Sequence, residues 1–444
     1  MELNRNSETA EKKMNISFSP PDISEEEIKE VTDTLRSGWI TTGPKVKALE
    51  TLLTDYTRAD GCVCLNSQTA AGEMSLRLLG IGKDSCGIDG IYGSEEDEVI
   101  TCAYTYTASA SVICHVGARP VLIDCQEGSL EMDYDALEQA VNEHTKAIIP
   151  VDLGGIPCDY DRIFEILERK KGLFHPSNKL QRTIGRVVVV EDAAHALGAS
   201  YKGRAIGSIA DFTNFSFHAV KNFTTAEGGA LAWKLKDADK EEIYHQLQLF
   251  SLHGQSKDAL AKTRLGAWEY DIVGPWYKCN MTDIMGAMGI AQFKRYPDML
   301  RRRRELIGRY DSVLKPLGVE VRSHFTEEHI SSGHLYMTWI PGIGLRGRQQ
   351  IIERLAEEGV SANVHYKPLP MHTAYKRLGF RIEDYPNSYK KFENEITLPL
   401  HTKLTDEEAE YVLERYGSIV KKYPQMRKPK VFSENEGAVK VNRI

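Results

Sequence analysis

Four consecutive valines at residues 187–190 lead directly into Glu191 and Asp192, and His195 follows three positions after Asp192. An uninterrupted β-branched run of this length predicts a parallel strand that is covered on both faces. Because a buried carboxylate is costly without a positive partner, Asp192 at the end of this strand predicts a nearby cationic group. We assign no function to Glu191 and expect it to be solvated or held in a salt bridge.

Short apolar runs alternate with helix-length segments over the first half of the chain. The runs are CVCL, EVITCAY, RPVLIDC, KAIIPVDL, RVVVV, TNFSF and GALAW. Strands interleaved with helices predict a mostly parallel, doubly wound α/β sheet. From about Asp283, long helical patterns and the strand-like segments HLYMTWI and VSANVHY predict a smaller α+β domain. We expect a flexible arm at residues 1–14, a large domain at 15–290, a small domain at 291–428 and a polar tail at 429–444.

Composition and charge exclude several classes of protein. The 444 residues carry a net charge of -7, with a pI near 6.1, so no overall positive field is available to hold nucleic acid. We expect neither a membrane span nor a signal peptide. The eight cysteines are scattered and match no zinc site or disulfide framework. The sequence therefore predicts a cytoplasmic globular protein without a bound metal.

Three further segments have sequence patterns for which we predict no catalytic or binding function. The arginine run at residues 301–304 lies in a helical pattern and predicts a solvated face with pairing to Glu305. The glycine-rich, acidic insert at residues 85–97 predicts a surface loop. Residues 342–347 match GxGxxG, but Pro341 precedes them and no acidic residue ends the next segment, so we interpret this NAD-like pattern as a coincidence.

Two more stretches contain residues that could form part of a binding or catalytic site. In NSQTAAGEMSLRLLGIG, Ser67 or Thr69 can cap a helix whose amino-terminal end is suited to phosphate. In SFHAVKN, Lys221 lies in a short turn between strands, where desolvation could make it an imine-forming nucleophile. Each feature has an ordinary alternative: a helix start that binds nothing, a solvated lysine, and an Asp192 that only caps a turn. Together they match what pyridoxal phosphate requires.

With these motifs the sequence resembles the DegT/DnrJ/StrS sugar aminotransferases, fold type I enzymes that depend on pyridoxal 5'-phosphate. The matching blocks run in order from about Ile16 to Tyr423. They are SGWITTGPKVKALE, NSQTAA, AYTYTASASVICHVGARPVLID, VEDAAHALGASYKG, SFHAVKNFTTAEGGAL, YKCNMTDIMGAMGIAQ and LPLHTKLTDEE. SFHAVKN with EDAAH upstream is a highly specific combination.

The resemblance implies two catalytic residues. Lys221 matches the family lysine that forms a Schiff base with the cofactor and then moves a proton between the substrate carbon and the cofactor. Asp192 matches the carboxylate that keeps the pyridine nitrogen protonated, which makes the ring an electron sink.

Further cofactor contacts are implied by matched positions. His195 falls near the 3-oxygen of the cofactor, and Tyr106 falls where an aromatic ring stacks on it. Contacts around the phosphate are expected from Ser67, Thr69, the backbone at Ala70, and Ser216. Asn280 resembles a residue that the neighbouring subunit delivers to the phosphate, which implies a homodimer with shared active sites.

The implied reaction moves an amino group from L-glutamate to the ketone of a nucleotide-linked keto-deoxysugar, with pyridoxamine phosphate as the intermediate cofactor form. The resemblance favours C4 of a UDP-4-keto sugar, in surface polysaccharide or glycan biosynthesis. C3 amination of a dTDP-keto sugar and a non-catalytic sensor of the same fold stay open. Lys221 argues against the family's dehydratases, which carry His there. Sugar contacts are expected from family position at Trp39, Thr42, Glu227, His334 and Tyr336.

The sequence departs from the family pattern at two positions near the expected site. Gln68 stands where a small residue is usual, between Ser67 and Thr69, and is expected to crowd or extend the phosphate site. Asp152 stands where relatives commonly have His, so any role inherited at that position is in doubt.

Overall fold

The computed structural model describes residues 13–256 and 269–423. Its α-helices are α1 (Glu25–Ser37), α2 (Pro44–Thr57), α3 (Gln68–Leu78), α4 (Ala108–His115), α5 (Tyr134–Ala140), α6 (Tyr160–Lys170), α7 (Lys179–Ile184), α8 (Lys240–Ser251), α9 (Asp283–Leu314), α10 (Gly344–Glu357), α11 (Thr373–Arg377), α12 (Pro386–Asn394) and α13 (Asp406–Val420). The predicted tail at residues 429–444, and the predicted arm except for residues 13 and 14, lie outside the described residues.

The strands of the large domain come first in the chain. They are β1 (Gly61–Leu65), β2 (Glu98–Cys102), β3 (Arg119–Ile123), β4 (Thr145–Ile149), β5 (Val188–Asp192), β6 (Ser200–Tyr201), β7 (Arg204–Ala205), β8 (Phe212–Ser216) and β9 (Gly229–Trp233). The later strands are β10 (Glu320–Val321), β11 (His329–Ile330), β12 (Tyr336–Trp339) and β13 (Glu395–Leu398).

Seven strands form the central sheet in the order β1-β9-β8-β5-β4-β2-β3. Six of them run in one direction, and β9 runs opposite to its neighbours β1 and β8. Each apolar run that the sequence predicts as a strand contributes one strand of this sheet. The prediction of a mostly parallel α/β sheet is confirmed.

The valine run explains the central place of β5. Every residue of β5 is buried. Val187 and Val189 pack into one apolar layer, and Val188 and Val190 pack into the layer on the opposite face of the sheet. Apolar burial of this kind contributes about 25 cal/mol per Å². The strand therefore holds its last residue, Asp192, firmly at the carboxyl edge of the sheet.

A smaller antiparallel sheet, in the order β10-β12-β13, lies in the carboxyl-terminal half of the chain. Leu306, Ile351 and Val412, from α9, α10 and α13, belong to the apolar cluster on this sheet. This is the expected α+β region, but its predicted start at residue 291 falls within α9, which continues to Leu314. Ile16, which the sequence assigns to the large domain, bridges Val360 of this region.

Two expectations for the carboxyl-terminal half are wrong. Residues 360–366, predicted as a strand, form only isolated bridges, one of them between Asn363 and Thr397. The arginine run is not a uniformly solvated face, because Arg303 is buried. Its guanidinium donates to the carbonyls of Gly333 and Leu400 at 3.1 and 2.9 Å. The helical pattern could not reveal that this side of α9 packs against the turns of the smaller region.

Candidate active site

A cavity of about 340 Å³ lies at the carboxyl edge of the central sheet. The ends of β5 and β8, the amino-terminal end of α3 and the connections after β2 and β4 contribute to its walls. Among its lining residues are Ser67, Gln68, Thr69, Tyr106, Asp152, Asp192, His195, Ser216, Lys221, Glu227 and Tyr366. The two predicted catalytic residues and most of the predicted cofactor contacts therefore face one space.

Asp192 is a buried carboxylate at the end of β5. Its Oδ2 accepts a hydrogen bond from the Ser109 hydroxyl at 2.7 Å, and its Oδ1 accepts from the Ala194 N–H at 3.1 Å. Burial raises the pKa of Asp192, while these hydrogen bonds and the charge of Lys221 act in the opposite direction. In the described residues no cation lies within 4.0 Å of it, so its charge lacks the close partner that a buried carboxylate requires.

Lys221 is half-buried in the turn between β8 and β9. Its backbone N–H donates to the His218 carbonyl at 2.9 Å. The next residue anchors the turn: Asn222 Nδ2 donates to the Ser332 carbonyl at 2.9 Å. Burial lowers the pKa of Lys221 to about 8, although the negative charge of Asp192 raises it. About a tenth of this amine is therefore unprotonated at pH 7, far more than for an ordinary lysine, and the unprotonated form is the nucleophile.

His195 is buried, and its neighbours determine its tautomer. Its Nδ1 lies 3.1 Å from the Gly154 N–H, so this nitrogen is the acceptor and Nε2 carries the proton of the neutral ring. Nε2 lies 3.3 Å from the Tyr366 hydroxyl. Burial, together with the charge of Lys221, holds the pKa of His195 well below its usual range. The ring is thus a fixed neutral N–H donor at the cavity wall.

The amino-terminal end of α3 forms the part of the wall that is predicted to hold phosphate. Ser67 is the cap residue, and its Oγ accepts from the Ala70 N–H at 3.1 Å. Thr69, Gln68 and Ser216 line the cavity beside it. The Ala70 N–H is used by the cap, and its phosphate role stays a prediction. The other N–H groups of this first turn are those that a helix leaves without an intrahelical acceptor.

Tyr106 and Glu227 lie on the exposed side of the cavity. Tyr106 is 58% exposed, and its ring centroid is 5.6 Å from that of Tyr366. Glu227 Oε1 lies 3.6 Å from His218 Nε2. Both positions suit contact with a molecule in the cavity, and both roles stay predictions.

Three predicted residues form a separate cluster, which we call the Trp39 cluster: Trp39, Thr42 and Asn280. Trp39 Nε1 donates to the Thr42 carbonyl at 3.3 Å, and Asn280 Nδ2 donates to the Thr42 hydroxyl. The Thr42 hydroxyl in turn donates to the Met281 carbonyl at 2.6 Å. None of the three lines the cavity described above. Their predicted contacts therefore require a second chain or a different arrangement of this one.

Two predicted sugar contacts, Tyr336 and His334, are buried and do not line the cavity. Tyr336 is fully buried in the apolar cluster of the smaller region, where its hydroxyl donates to Asp311 Oδ1 at 2.7 Å. His334 is buried behind His195, with ring centroids 4.3 Å apart. Its Nδ1 donates to Asn222 Oδ1 at 2.9 Å, so His334 supports the turn that carries Lys221. Family position located the segment but not the direction of these side chains.

The expectation for Glu191 is also wrong, because this carboxylate is neither solvated nor in a salt bridge. It is fully buried, and its two oxygens accept from the hydroxyls of Tyr160 and Thr213, each at 2.7 Å. The Tyr160 oxygen also lies 2.9 Å from Asp152 Oδ1. Hydroxyl donors contributed by α6 and β8 thus replace the cation that was expected.

The sequence interpretation missed two residues that complete the site. Ser109, in the first turn of α4, donates to Asp192. Tyr366 faces His195 from the irregular segment after residue 360. The polar and aromatic pair His365 and Tyr366, followed closely by two prolines in HYKPLP, is a loop signal that could have identified this segment.

The family model of the DegT/DnrJ/EryC1/StrS aminotransferase family matches residues 21–416. The chain belongs to this family. The predicted class of enzyme, an aminotransferase of the sugar-aminotransferase type with the fold type I architecture, is confirmed by this match and by similar structures.

Spr1654 from Streptococcus pneumoniae, an inferred sugar aminotransferase, is similar in its PMP-form at 57% identity and a TM-score of 0.87, covering 92% of this chain and all of that chain. Its PLP-form is also similar. The spore coat polysaccharide biosynthesis protein SpsC from Bacillus subtilis is 36% identical over 91% of this chain and 97% of its own length. Helicobacter pylori PseC, an aminotransferase involved in pseudoaminic acid biosynthesis, is 25% identical with a TM-score of 0.78, covering 92% of this chain and all of that chain. The predicted cofactor, pyridoxal 5'-phosphate, is borne out by these cofactor forms.

None of the helices in the described residues combines the length and the apolar character that crossing a bilayer requires. No group of three His, Cys, Asp or Glu side chains within residues 13–256 and 269–423 is arranged to hold a metal ion.

Proposed function

We propose that this protein transfers an amino group from L-glutamate to the ketone of a nucleotide-linked keto-deoxysugar, with C4 of a UDP-4-keto sugar as the acceptor carbon. The observation that supports this most is one cavity lined by a lysine of lowered pKa and a buried carboxylate without a close cation, Lys221 and Asp192. The active unit in this proposal is a cytoplasmic homodimer that contains two shared sites.

The cavity suits pyridoxal phosphate by the chemistry of its donors and acceptors. Each oxygen of Asp192 accepts one hydrogen bond from the protein, so lone pairs remain for a protonated ring nitrogen. The neutral His195 offers an N–H for the ring oxygen. The hydroxyls of Ser67, Thr69 and Ser216 and the end of α3 would hold the phosphate. When bound, the cofactor supplies an electron sink for a carbanion at the amino carbon.

The chain's own residues carry the proton movements. Lys221, with its pKa near 8, can give up and take back a proton within the working pH range of an enzyme. Asp192 is held in place by Ser109 and stays charged beside a positive group, because that positive group offsets its burial. Tyr366 and the largely exposed Tyr106 both line the cavity, where they can limit the entry of water.

The choice of a sugar acceptor in polysaccharide or glycan biosynthesis is supported by relatives. The protein SpsC carries polysaccharide biosynthesis in its name, and PseC is an aminotransferase of pseudoaminic acid biosynthesis. Because these two relatives act in the biosynthesis that their names give, sugars of surface polysaccharides and glycans are the first acceptors to test. C3 amination of a dTDP-keto sugar is the alternative acceptor chemistry within the same proposal.

The deciding experiment treats the cofactor-loaded protein with L-glutamate alone. We expect the visible absorbance of the bound cofactor to fall as one equivalent of 2-oxoglutarate is released. A non-catalytic sensor would bind the cofactor without releasing 2-oxoglutarate, which would contradict the proposal. The charged protein is then offered UDP-4-keto and dTDP-3-keto sugars, and mass spectrometry identifies the aminated product. Amination of the dTDP sugar alone would overturn the C4 assignment.

A further inference from the structure

We propose that Asp152 and Glu191 form a buried pair of one carboxylic acid and one carboxylate, which shares a single proton and places a second negative charge close to Asp192. Through Asp192 this charge favours the cationic group that Asp192 binds. The pair is thus a positioning pair, and this consequence for the bound cofactor rests on the function proposed above.

The first observation is the hydrogen bonding around one hydroxyl. The Tyr160 oxygen lies 2.7 Å from Glu191 Oε1 and 2.9 Å from Asp152 Oδ1. A phenol has one hydrogen and can donate it to only one of these oxygens at a time. If both acids were ionised, the carboxylate oxygen that does not receive this hydrogen would face the lone pairs of the hydroxyl. One additional proton on the acid pair removes this conflict.

The second observation is burial without a counter-charge. Both acids are 0% exposed. In residues 13–256 and 269–423 no Lys, Arg or His nitrogen lies within 4.0 Å of either carboxylate. Among the described residues, none donates a hydrogen bond to Asp152 Oδ2. Two buried charges of the same sign without a close cation are far more costly than one, so the neutral acid beside a single carboxylate is the favoured state.

Few titratable or charged groups surround Asp152 and Glu191 and could change the protonation state of the pair. Tyr160 and Cys158 lie on the α6 side, and Cys158 donates its backbone N–H to Asp152 Oδ1 at 2.9 Å. Arg322 is the cation that acts on Asp152 from a distance, but its guanidinium donates to the Leu153 carbonyl at 2.7 Å. Asp192, the next residue on β5, adds a further negative charge.

The surroundings of the two acids assign the proton mainly to Asp152. Burial and the neighbouring charge of Glu191 raise the pKa of Asp152 well above its usual range. Burial also raises the pKa of Glu191, but the donors around it act in the opposite direction. The remaining charge is on Glu191, adjacent to Asp192 in the chain. The Asp152 N–H also donates to the Asp192 carbonyl at 3.1 Å, which ties the pair to the end of β5.

The cofactor-free protein tests the shared proton without any catalytic readout. A carboxyl group whose folded pKa is raised stabilises the fold at low pH and loses that contribution as pH rises towards the folded value. We therefore expect the unfolding constant of the wild type to rise, relative to Asp152→Asn, by up to about tenfold per pH unit as the pH increases above the ordinary range of an aspartate. Glu191→Gln should remove the same pH dependence of unfolding. Its neutral amide takes the place of the protonated acid, so that Asp152 can carry the single charge of the pair.

Tyr160→Phe is the matched control, since it removes the hydroxyl but keeps both acids, and its pH dependence should follow the wild type. Equal pH dependence in the wild type and both single-amide variants would overturn the shared proton. Thermal unfolding measured at each pH gives this comparison even if one variant is less stable.

The cofactor-loaded protein tests whether the negative charge of the Asp152–Glu191 pair acts on the bound cofactor. The wild type and Asp152→Asn both carry one negative charge in the pair, so the pH midpoint of the bound cofactor's absorbance should be the same in both. The double variant Asp152→Asn with Glu191→Gln carries none, and its midpoint should be lower by roughly one unit. An unchanged midpoint in the double variant would contradict the charge effect. Failure to load any variant would count against the proposed function, and the unfolding series would still decide the shared proton.

Discussion

The cavity and the Trp39 cluster differ in how their residues are held in place. Asp192 and Lys221 are fixed by a strand end and a tight turn of one chain, and they face the same space. Trp39, Thr42 and Asn280 bond to one another and to Met281 but do not line that space. The contrast indicates that one chain brings Asp192 and Lys221 together, whereas the contacts predicted for the Trp39 cluster require a second chain or a different arrangement of this one.

The largest effect is expected at the reactive amine. Lys221→Ala should reduce turnover by about 10⁴-fold, because it removes both the nucleophile and the group that moves the proton. The fold should be intact, since Lys221 forms no ion pair within the described residues. Steady-state rates and circular dichroism of the variant check both points. Turnover within tenfold of the wild type would contradict the assignment.

Asp192→Asn should reduce turnover by roughly a hundredfold or more, because a neutral amide cannot stabilise a positive ring nitrogen in a buried site. Its hydrogen bond with Ser109 can be retained by the amide oxygen, so the loss should be electrostatic. Single-turnover rates with glutamate measure the effect. Ser109→Ala keeps the charge and should cost much less, and an equal loss in both variants would point to position instead of charge.

The pH dependence of cofactor capture tests the environment of Lys221. The unprotonated amine is the reactive form, and its pKa is lowered to about 8. The capture rate of pyridoxal phosphate by the cofactor-free protein should therefore rise roughly tenfold per unit up to pH 8 and then level off. Rapid mixing followed by absorbance gives the profile. A rate that continues to rise to pH 10 would show that the amine is not desolvated.

Asn280→Ala should weaken cofactor retention about tenfold, the usual effect of losing one hydrogen bond to a charged group. If Asn280 acts on the neighbouring chain's site, mixing Asn280→Ala with Lys221→Ala subunits should restore one complete site in each mixed dimer. Titrating cofactor into refolded mixtures of the two variants reveals this high-affinity site. Mixtures no better than the sum of the separate variants would place Asn280 in its own chain's site.

The smallest effects distinguish the two tyrosines Tyr336 and Tyr366. Tyr336→Phe should cost about 1 kcal/mol of stability through its lost bond to Asp311 and leave sugar KM unchanged. Tyr366→Phe should change sugar KM or kcat by a fewfold, since Tyr366 lines the cavity. Denaturant unfolding and steady-state kinetics on both variants separate the two. A raised sugar KM in Tyr336→Phe would restore the original prediction for that residue.

The sequence predicted the central sheet well because each buried strand is marked by a short apolar run between turn residues. Asp192 and Lys221 could be located because Asp192 ends such a strand and Lys221 lies in the short connection between two of them, where little freedom of position is left. Tyr366 was missed because its segment has no regular secondary structure. The position of Tyr336 was known within its strand, but the choice between the two faces depends on packing with Tyr310 and Asp311, which local pattern does not contain.

Glu191 shows the limit of arguments from charge. A carboxylate after four valines suggests a cation or solvent, yet the structure supplies two hydroxyls and a second acid. These partners come from residues 22 to 39 positions away in sequence, so only the folded sheet brings them together.

Hydride reduction of the loaded protein, followed by digestion and mass spectrometry, tests the central assignment most directly. We predict that borohydride fixes a pyridoxyl group on the peptide that contains Lys221, with none on the same peptide of Lys221→Ala. Pyridoxyl mass on a different lysine, or none on any peptide of a fully loaded protein, would contradict the account.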